Sequence, residues 1–371
     1  MLKKLARILN REHRDFEVFQ IEVSTYSSLE CQVCPRAVFA EQWDFQNMSM
    51  GTFQEIGQYF HLTKWVSLRG WGEPMENENI IPMLHLAKKN GCLTSLTTNG
   101  IRLTEDLSHQ LLMAGLDLIV VSVELATQGI QEGLPAGADF ERILKQITGF
   151  IQLKNKLHHK TPTVKISFPM TRLNMKELPS LVPLAAKLGV DEVIFTNLDY
   201  LPDERWNILR AFYHESPTAA FQQSIDEIHR LSKALRILVK TYPLKVEEQR
   251  VCEANPPRNV FFSVDGSVAP CHYLRIPKKG DIPRIFMNKE SMVPQTSFGN
   301  IKEEDLLAVL NKESYKKFRG IFEERKKAER DMVQLLDIFS NIRPSDMKEE
   351  VTKVPPPFPE VCQTCYKAYG I

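Results

Sequence analysis

Residues 18–36 read VFQIEVSTYSSLECQVCPR. Val18 to Ser24 is apolar and β-branched, the composition of a strand, and Thr25 to Arg36 is a loop carrying Cys31 and Cys34 two residues apart. A strand running straight into a loop with metal-type cysteine spacing puts chemistry at the carboxyl end of that strand. Two cysteines are too few to hold a metal centre. The rest of the chain must show how many strands share that end and which residues complete the ligands.

Five further β-rich segments follow: Trp65 to Arg69, Leu93 to Thr98, Leu118 to Val123, Val164 to Phe168 and Glu192 to Asn197. Helical patterns separate them, so the rhythm is that of repeated βα units around a parallel sheet, an α/β fold. Asn99-Gly100 closes the third strand, Thr104 caps the next helix, Glu105 and Asp106 sit in its first turn, and Gly115 ends it. Gly189 ends a later helix in the same way.

After about residue 200 the rhythm stops. A long helical stretch near Ser216 to Leu238 precedes a hairpin, Val260 to Val264 and Ser267 to Ala269, with Asp265-Gly266 reading as a type I′ turn. A charged helix from Ser314 to about Ile338 and the Pro-rich stretch Val354 to Pro359 lead to the last cysteines. Lys326 and Lys327 within that helix read as a solvated face with i,i+4 charge pairs. The division expected is 1–239 for the βα units and 240–371 for a smaller extension.

The 371 residues carry 47 basic and 46 acidic side chains, a balance that draws the chain neither to nucleic acid nor to an anionic membrane. No apolar run approaches the roughly 18 residues of a membrane span, and the N-terminus lacks the apolar core of a secretory signal. A cytoplasmic protein is expected. Seven cysteines, an odd number gathered toward the two ends, fit metal ligation in a reducing compartment better than a disulfide framework.

Cys252 and Cys271 bracket the hairpin, whose base brings them together, and the Pro-rich segment delivers Cys362 and Cys365. Four thiolates satisfy one iron–sulfur cluster or one structural zinc. A zinc site joining Cys31 and Cys34 to Cys362 and Cys365 would orphan the other pair. Cys92 reads as a small buried hydrophobe and His272 as a surface histidine.

The pattern Ser27-x-x-x-Cys31-x-x-Cys34 resembles the three-cysteine loop of radical S-adenosylmethionine (SAM) enzymes, with Ser27 where the first cysteine stands. Gly70-Trp71-Gly72-Glu73-Pro74 after the second strand is similar to that family's Gly-Gly-Glu motif, with Trp71 in place of its first glycine. Thr98-Asn99-Gly100, Ser122 to Glu124 and Thr196-Asn197 close later strands where the family contacts SAM. Cys252, Cys271, Cys362 and Cys365, with Phe298-Gly299-Asn300 between them, resemble the SPASM extension in its shortened twitch form.

The resemblance implies a partial (β/α)6 barrel of TIM type with a small hairpin-and-helix auxiliary-cluster domain. It implies a 4Fe-4S cluster at Ser27, Cys31 and Cys34, SAM held by Gly72, Glu73, Asn99, Ser122, Glu124 and Thr196, and an auxiliary 4Fe-4S cluster on the other four cysteines. Glu73 is expected to meet the SAM ammonium. The implied activity is reductive cleavage of SAM to abstract hydrogen from a small molecule, cofactor precursor or protein or peptide, with an electron donor such as flavodoxin or ferredoxin. Serine is a harder and less acidic ligand than cysteine, so Ser27 is expected to weaken the first cluster. The competing reading is a non-catalytic relic that binds an iron–sulfur cluster or transfers electrons. With about 17 residues before the first strand, a small molecule, cofactor precursor or folded protein is expected over a leader-guided peptide.

Overall fold

A computed structural model describes residues 14–29, 33–123, 140–213, 217–339 and 355–371. Cys31 and Glu124 lie outside the described residues. The chain is α/β, a partial barrel of parallel strands with helices on its outside, extended by a hairpin-and-helix region.

Seven parallel strands run in order: β1 (Phe16–Ile21), β2 (Thr63–Leu68), β3 (Leu93–Thr98), β4 (Leu118–Ser122), β5 (Thr163–Met170), β6 (Glu192–Asn197) and β7 (Leu238–Thr241). The sequence pattern yields the first six. β7 escapes it because it is four residues long, at the sheet edge and largely exposed, so no buried face marks it. A boundary between residues 239 and 240 would pass through this strand.

The sheet does not stop at β1. The hairpin strands β8 (Asn259–Phe262) and β9 (Ser267–Ala269) extend it, β8 lying parallel to β1 with Val18 opposite Asn259 and Ile21 opposite Phe262. A second hairpin, β10 (Ile282–Phe286) with β11 (Lys289–Val293), stands apart, and β12 (Gly299–Asn300) pairs with β9. The β8–β9 turn is not type I′: Gly266 has φ of 91° but Asp265 does not take a positive φ. Gly266 N donates to Ser263 O, and the Asp265 carboxylate accepts from Ser267 N at 2.9 Å, a turn with one left-handed residue at its end.

Strand residues alternate between two environments. Ile119 and Val121 in β4, Ile166 and Phe168 in β5, and Val193 and Phe195 in β6 are buried against the helices, whereas Val120 and Ser122, Ser167 and Pro169, and Ile194 and Thr196 line the barrel cavity. The main core continues into the hairpin through Val260, Phe262, Val264 and Val268. A smaller core joins Trp43 of the barrel to Leu274, Ile282, Phe322 and Phe358.

The long helix Glu313–Phe339 is not simply a solvated face. Arg325, inside its charged run, is 1 % exposed. Its guanidinium donates to Arg250 O at 2.9 Å, Gln249 O at 2.8 Å, Glu248 Oε1 at 2.6 Å and Pro356 O, and lies 3.6 Å over the Phe358 ring. One cation thereby ties the helix, the segment before Cys252 and the tail before Cys362 together. Arg325→Met keeps the side-chain volume but strands these acceptors, so it should cost about 3 kcal/mol in denaturant unfolding and speed proteolysis of the tail. Unchanged stability and tail protection would show that the clamp does not hold the tail.

Candidate functional site

The carboxyl ends of β1 to β3 converge on two loops. Glycine is required in one of them by close approach: a Cβ on Gly72 would come within 2.4 Å of Ser24 O and 2.6 Å of Thr25 Cα, and one on Gly70 within 2.3 Å of Glu22 Cγ. The loop after β1 and the loop after β2 are thus packed backbone to backbone. Beneath them Glu22 is fully buried, accepting the Trp71 amide at 2.7 Å, and burial pushes its carboxyl up to about 8.

Glu73 does not point at the cavity. It is 3 % exposed, one oxygen accepting Met75 N at 3.1 Å and the other Asn99 N at 2.7 Å. Burial lifts its carboxyl to about 7 despite those amides. Its carboxylate ties the β2 loop to the end of β3. The neighbouring Asn99 is 8 % exposed, uses Oδ1 to accept Ile101 N at 2.9 Å, and leaves Nδ2 without a protein acceptor. That buried donor can serve a ligand, as can the Ser122 and Thr196 hydroxyls on the cavity wall.

Ser27 is half-buried, its Oγ accepting Leu29 N at 3.2 Å, and Cys34 lines the cavity with Val33 and Pro35. Beyond Cys34 the chain crosses to the C-terminal region: Trp43 bridges Lys278, and Asp44 N donates to Pro277 O at 2.8 Å. Cys92 is buried in the barrel core, as its sequence context suggests.

The cavity measures about 450 Å³ and lies between the barrel mouth and the C-terminal region. Trp71 spans its rim, donating Nε1–H to His272 O at 2.9 Å and packing against Tyr200, His272 and Tyr273 with ring centroids 5.4, 5.5 and 5.8 Å away. A glycine could not reach. His272 is buried, not on the surface as its sequence position suggests, and burial drives its pKa well below the ordinary range.

Behind that rim Cys252, Cys271, Cys362 and Cys365 line one small cavity. Burial pushes the Cys252 thiol up to about 12, with Cys365 adding to the rise, and it raises Cys271 and Cys362 as well. Among the described residues no three histidine, cysteine or carboxylate side chains converge on a single ion-sized point. The four thiols surround a space instead of meeting at its centre. Cys34 faces the other cavity, so the described residues do not join it to Cys362 and Cys365.

The side of this thiol pocket that faces the barrel is polar, and the sequence reading missed it. Glu253 follows Cys252, Tyr273 stands two residues beyond Cys271, and Lys367 two beyond Cys365; all three reach the large cavity, where they meet Asp199 beyond the end of β6, Lys240 from β7 and Tyr242 just after it. Spacing from the cysteines and strand parity were signals that could have found them. Replacing Glu73 by alanine orphans two buried amides, so it should cost about 3 kcal/mol of stability before any effect on ligand affinity. Unfolding curves for Glu73→Ala identical to the parent would return Glu73 to a purely ligand-binding role.

Residues 252–335 match the family model of SPASM, an iron–sulfur cluster-binding domain. The match takes in Cys252 and Cys271 but ends before Cys362 and Cys365. The tungsten-containing aldehyde ferredoxin oxidoreductase cofactor-modifying protein of Pyrococcus furiosus is 26% identical over 312 residues, 81% of this chain and 82% of that protein. A probable GTP 3',8-cyclase of Saccharolobus islandicus is 26% identical over 190 residues, 50% of this chain and 58% of that protein. Among solved structures, Streptococcus suis SuiB bound to S-adenosylmethionine superposes with a TM-score of 0.61 at 17% identity, covering 86% of this chain and 71% of that one.

Proposed function

We propose that this chain, a radical SAM enzyme with a SPASM-type auxiliary iron–sulfur domain, abstracts hydrogen from a small molecule or cofactor precursor held in the cavity between its two cysteine sites. The observation that carries the reading is the placement of that cavity. Cys34 stands on one wall, and residues adjoining Cys252, Cys271 and Cys365 form the other. A volume of about 450 Å³ is that of a small-molecule site. The cofactor-modifying relative supports the same substrate class.

The donor set fits the cofactors. Cys31 and Cys34, with Ser27 in the remaining position, are the proposed ligands of the first 4Fe-4S cluster. Cys252, Cys271, Cys362 and Cys365 are proposed for the auxiliary cluster, because four thiols ringing a space suit several irons better than one zinc. When bound there, SAM would supply the radical chemistry of hydrogen abstraction, with the electron drawn from a donor such as flavodoxin or ferredoxin. Gly72 lets the loop after β2 pack against the loop after β1 at the proposed site, Asn99 offers a buried carboxamide donor, and Ser122 and Thr196 line the cavity. Glu124 adjoins Ser122 in sequence and stays in the proposed set.

Ser27 lowers the rate without altering the fold. After anaerobic reconstitution, Ser27→Cys should raise iron toward about eight per chain and increase cleavage of SAM to 5′-deoxyadenosine under strong reductant. The double change Cys362→Ala with Cys365→Ala should lower iron by about half and leave the first cluster's SAM cleavage measurable. No gain from Ser27→Cys in either readout would favour a non-catalytic iron–sulfur protein, and zinc without sulfide would reject both cluster assignments.

A further inference from the structure

Charge on the cavity wall is unevenly matched. Lys367 Nζ lies 2.7 Å from Asp199 Oδ2 and 3.5 Å from Glu253 Oε2, and Lys240 Nζ lies 3.0 Å from Glu253 Oε1. Tyr273 donates to Asp199 at 2.8 Å and Tyr242 donates to Glu253. Two ammonium groups and two carboxylates therefore cancel, and both carboxylates are already engaged.

Among the described residues Arg69 is the remaining charge on that wall. It ends the approach from β2, one residue before Gly70, and is exposed to the cavity. Among the described residues its side chain has neither an ion pair nor a hydrogen bond. It shares the cavity wall with Tyr242, His272, Tyr273 and Lys367, and its positive charge acts on all four. Among the described residues that line the cavity the carboxylates are Asp199 and Glu253, and both are held by lysines.

We propose that Arg69 anchors a subsite for an anionic group of the substrate, a carboxylate or phosphate. The inference rests on the cavity being the substrate site. A planar guanidinium grips either anion through two parallel N–H···O bonds, and the balanced Lys367–Asp199–Glu253–Lys240 network beside it adds fixed donors without a competing free carboxylate. The carboxylate of SAM carries the same chemistry, but Arg69 shares its wall of the cavity with Tyr242, His272, Tyr273 and Lys367, next to the auxiliary thiols, which favours the substrate.

The test uses the full chain reconstituted with iron and sulfide, inorganic pyrophosphate as the anion probe, and calorimetric titration of pyrophosphate and of SAM separately and in competition. Pyrophosphate should bind the parent, lose about tenfold in affinity in Arg69→Gln and less in Arg69→Lys, and weaken with added salt. SAM affinity should be the same in all three proteins, with equal melting temperatures confirming intact folds. No pyrophosphate binding to the parent, or equal binding to Arg69→Gln, would overturn the subsite. Loss of SAM affinity in Arg69→Gln together with displacement of pyrophosphate by SAM would assign Arg69 to the SAM carboxylate and also overturn it. Failure of SAM to bind any of the three, with pyrophosphate still dependent on Arg69, would reject the proposed function and leave the anion subsite standing.

Discussion

The pairing of β8 with β1 is the constraint from which the rest of the arrangement follows. β1 is hydrogen-bonded on both sides, to β2 and to β8, all three parallel. Because β8 runs the same way as β1, the hairpin turn lies at the sheet end where the loop with Cys34 also emerges, and β9 runs back from it toward Cys271. A parallel strand supplied from more than two hundred residues away requires a long connection, and the βα units provide it. The C-terminal region is therefore an extension of the barrel sheet, sharing its core through Val260 and Phe262.

The space between the two cysteine sites is rimmed by side chains from both parts. Trp71 is the link between them. Where a glycine would leave a gap, its indole bonds the carbonyl of His272 and packs on Tyr200 and Tyr273. The residue after Cys271 is thus fixed to the loop that also carries Gly72. Loss of order around the auxiliary thiols would be felt directly at the β2 loop, through one hydrogen bond and a set of aromatic contacts.

Burial of Cys252, Cys271 and Cys362 beside one another is costly in itself, since desolvation and repulsion between thiolates both oppose their ionisation. A positively charged metal centre held by these thiolates would remove that cost and couple occupancy of the pocket to stability. The protein's contribution is to hold the thiols in place beforehand. Arg325 does this for the tail, and its carbonyl acceptors need a cation that cannot shed its charge.

The sequence by itself determined the six main strands, the glycine and cap punctuation between them, and the cysteine loop at the end of the first. These signals are local: β-branched runs, a threonine cap and a left-handed glycine depend on neighbours a few residues away. The type I′ reading failed locally too, because the Asp265 side chain satisfies the turn's own backbone and so leaves only Gly266 left-handed. What only the tertiary structure decided involves residues far apart in the chain. Arg325 looked like one charge in a solvated run until the tail folded over it, and His272 looked exposed until Trp71 covered it. Glu73 was legible as a conspicuous carboxylate, but the partner of its second oxygen, the Asn99 amide, is set by the pairing of β2 with β3. The charge balance that leaves Arg69 over is a sum over five separate segments, and no single stretch of sequence carries it.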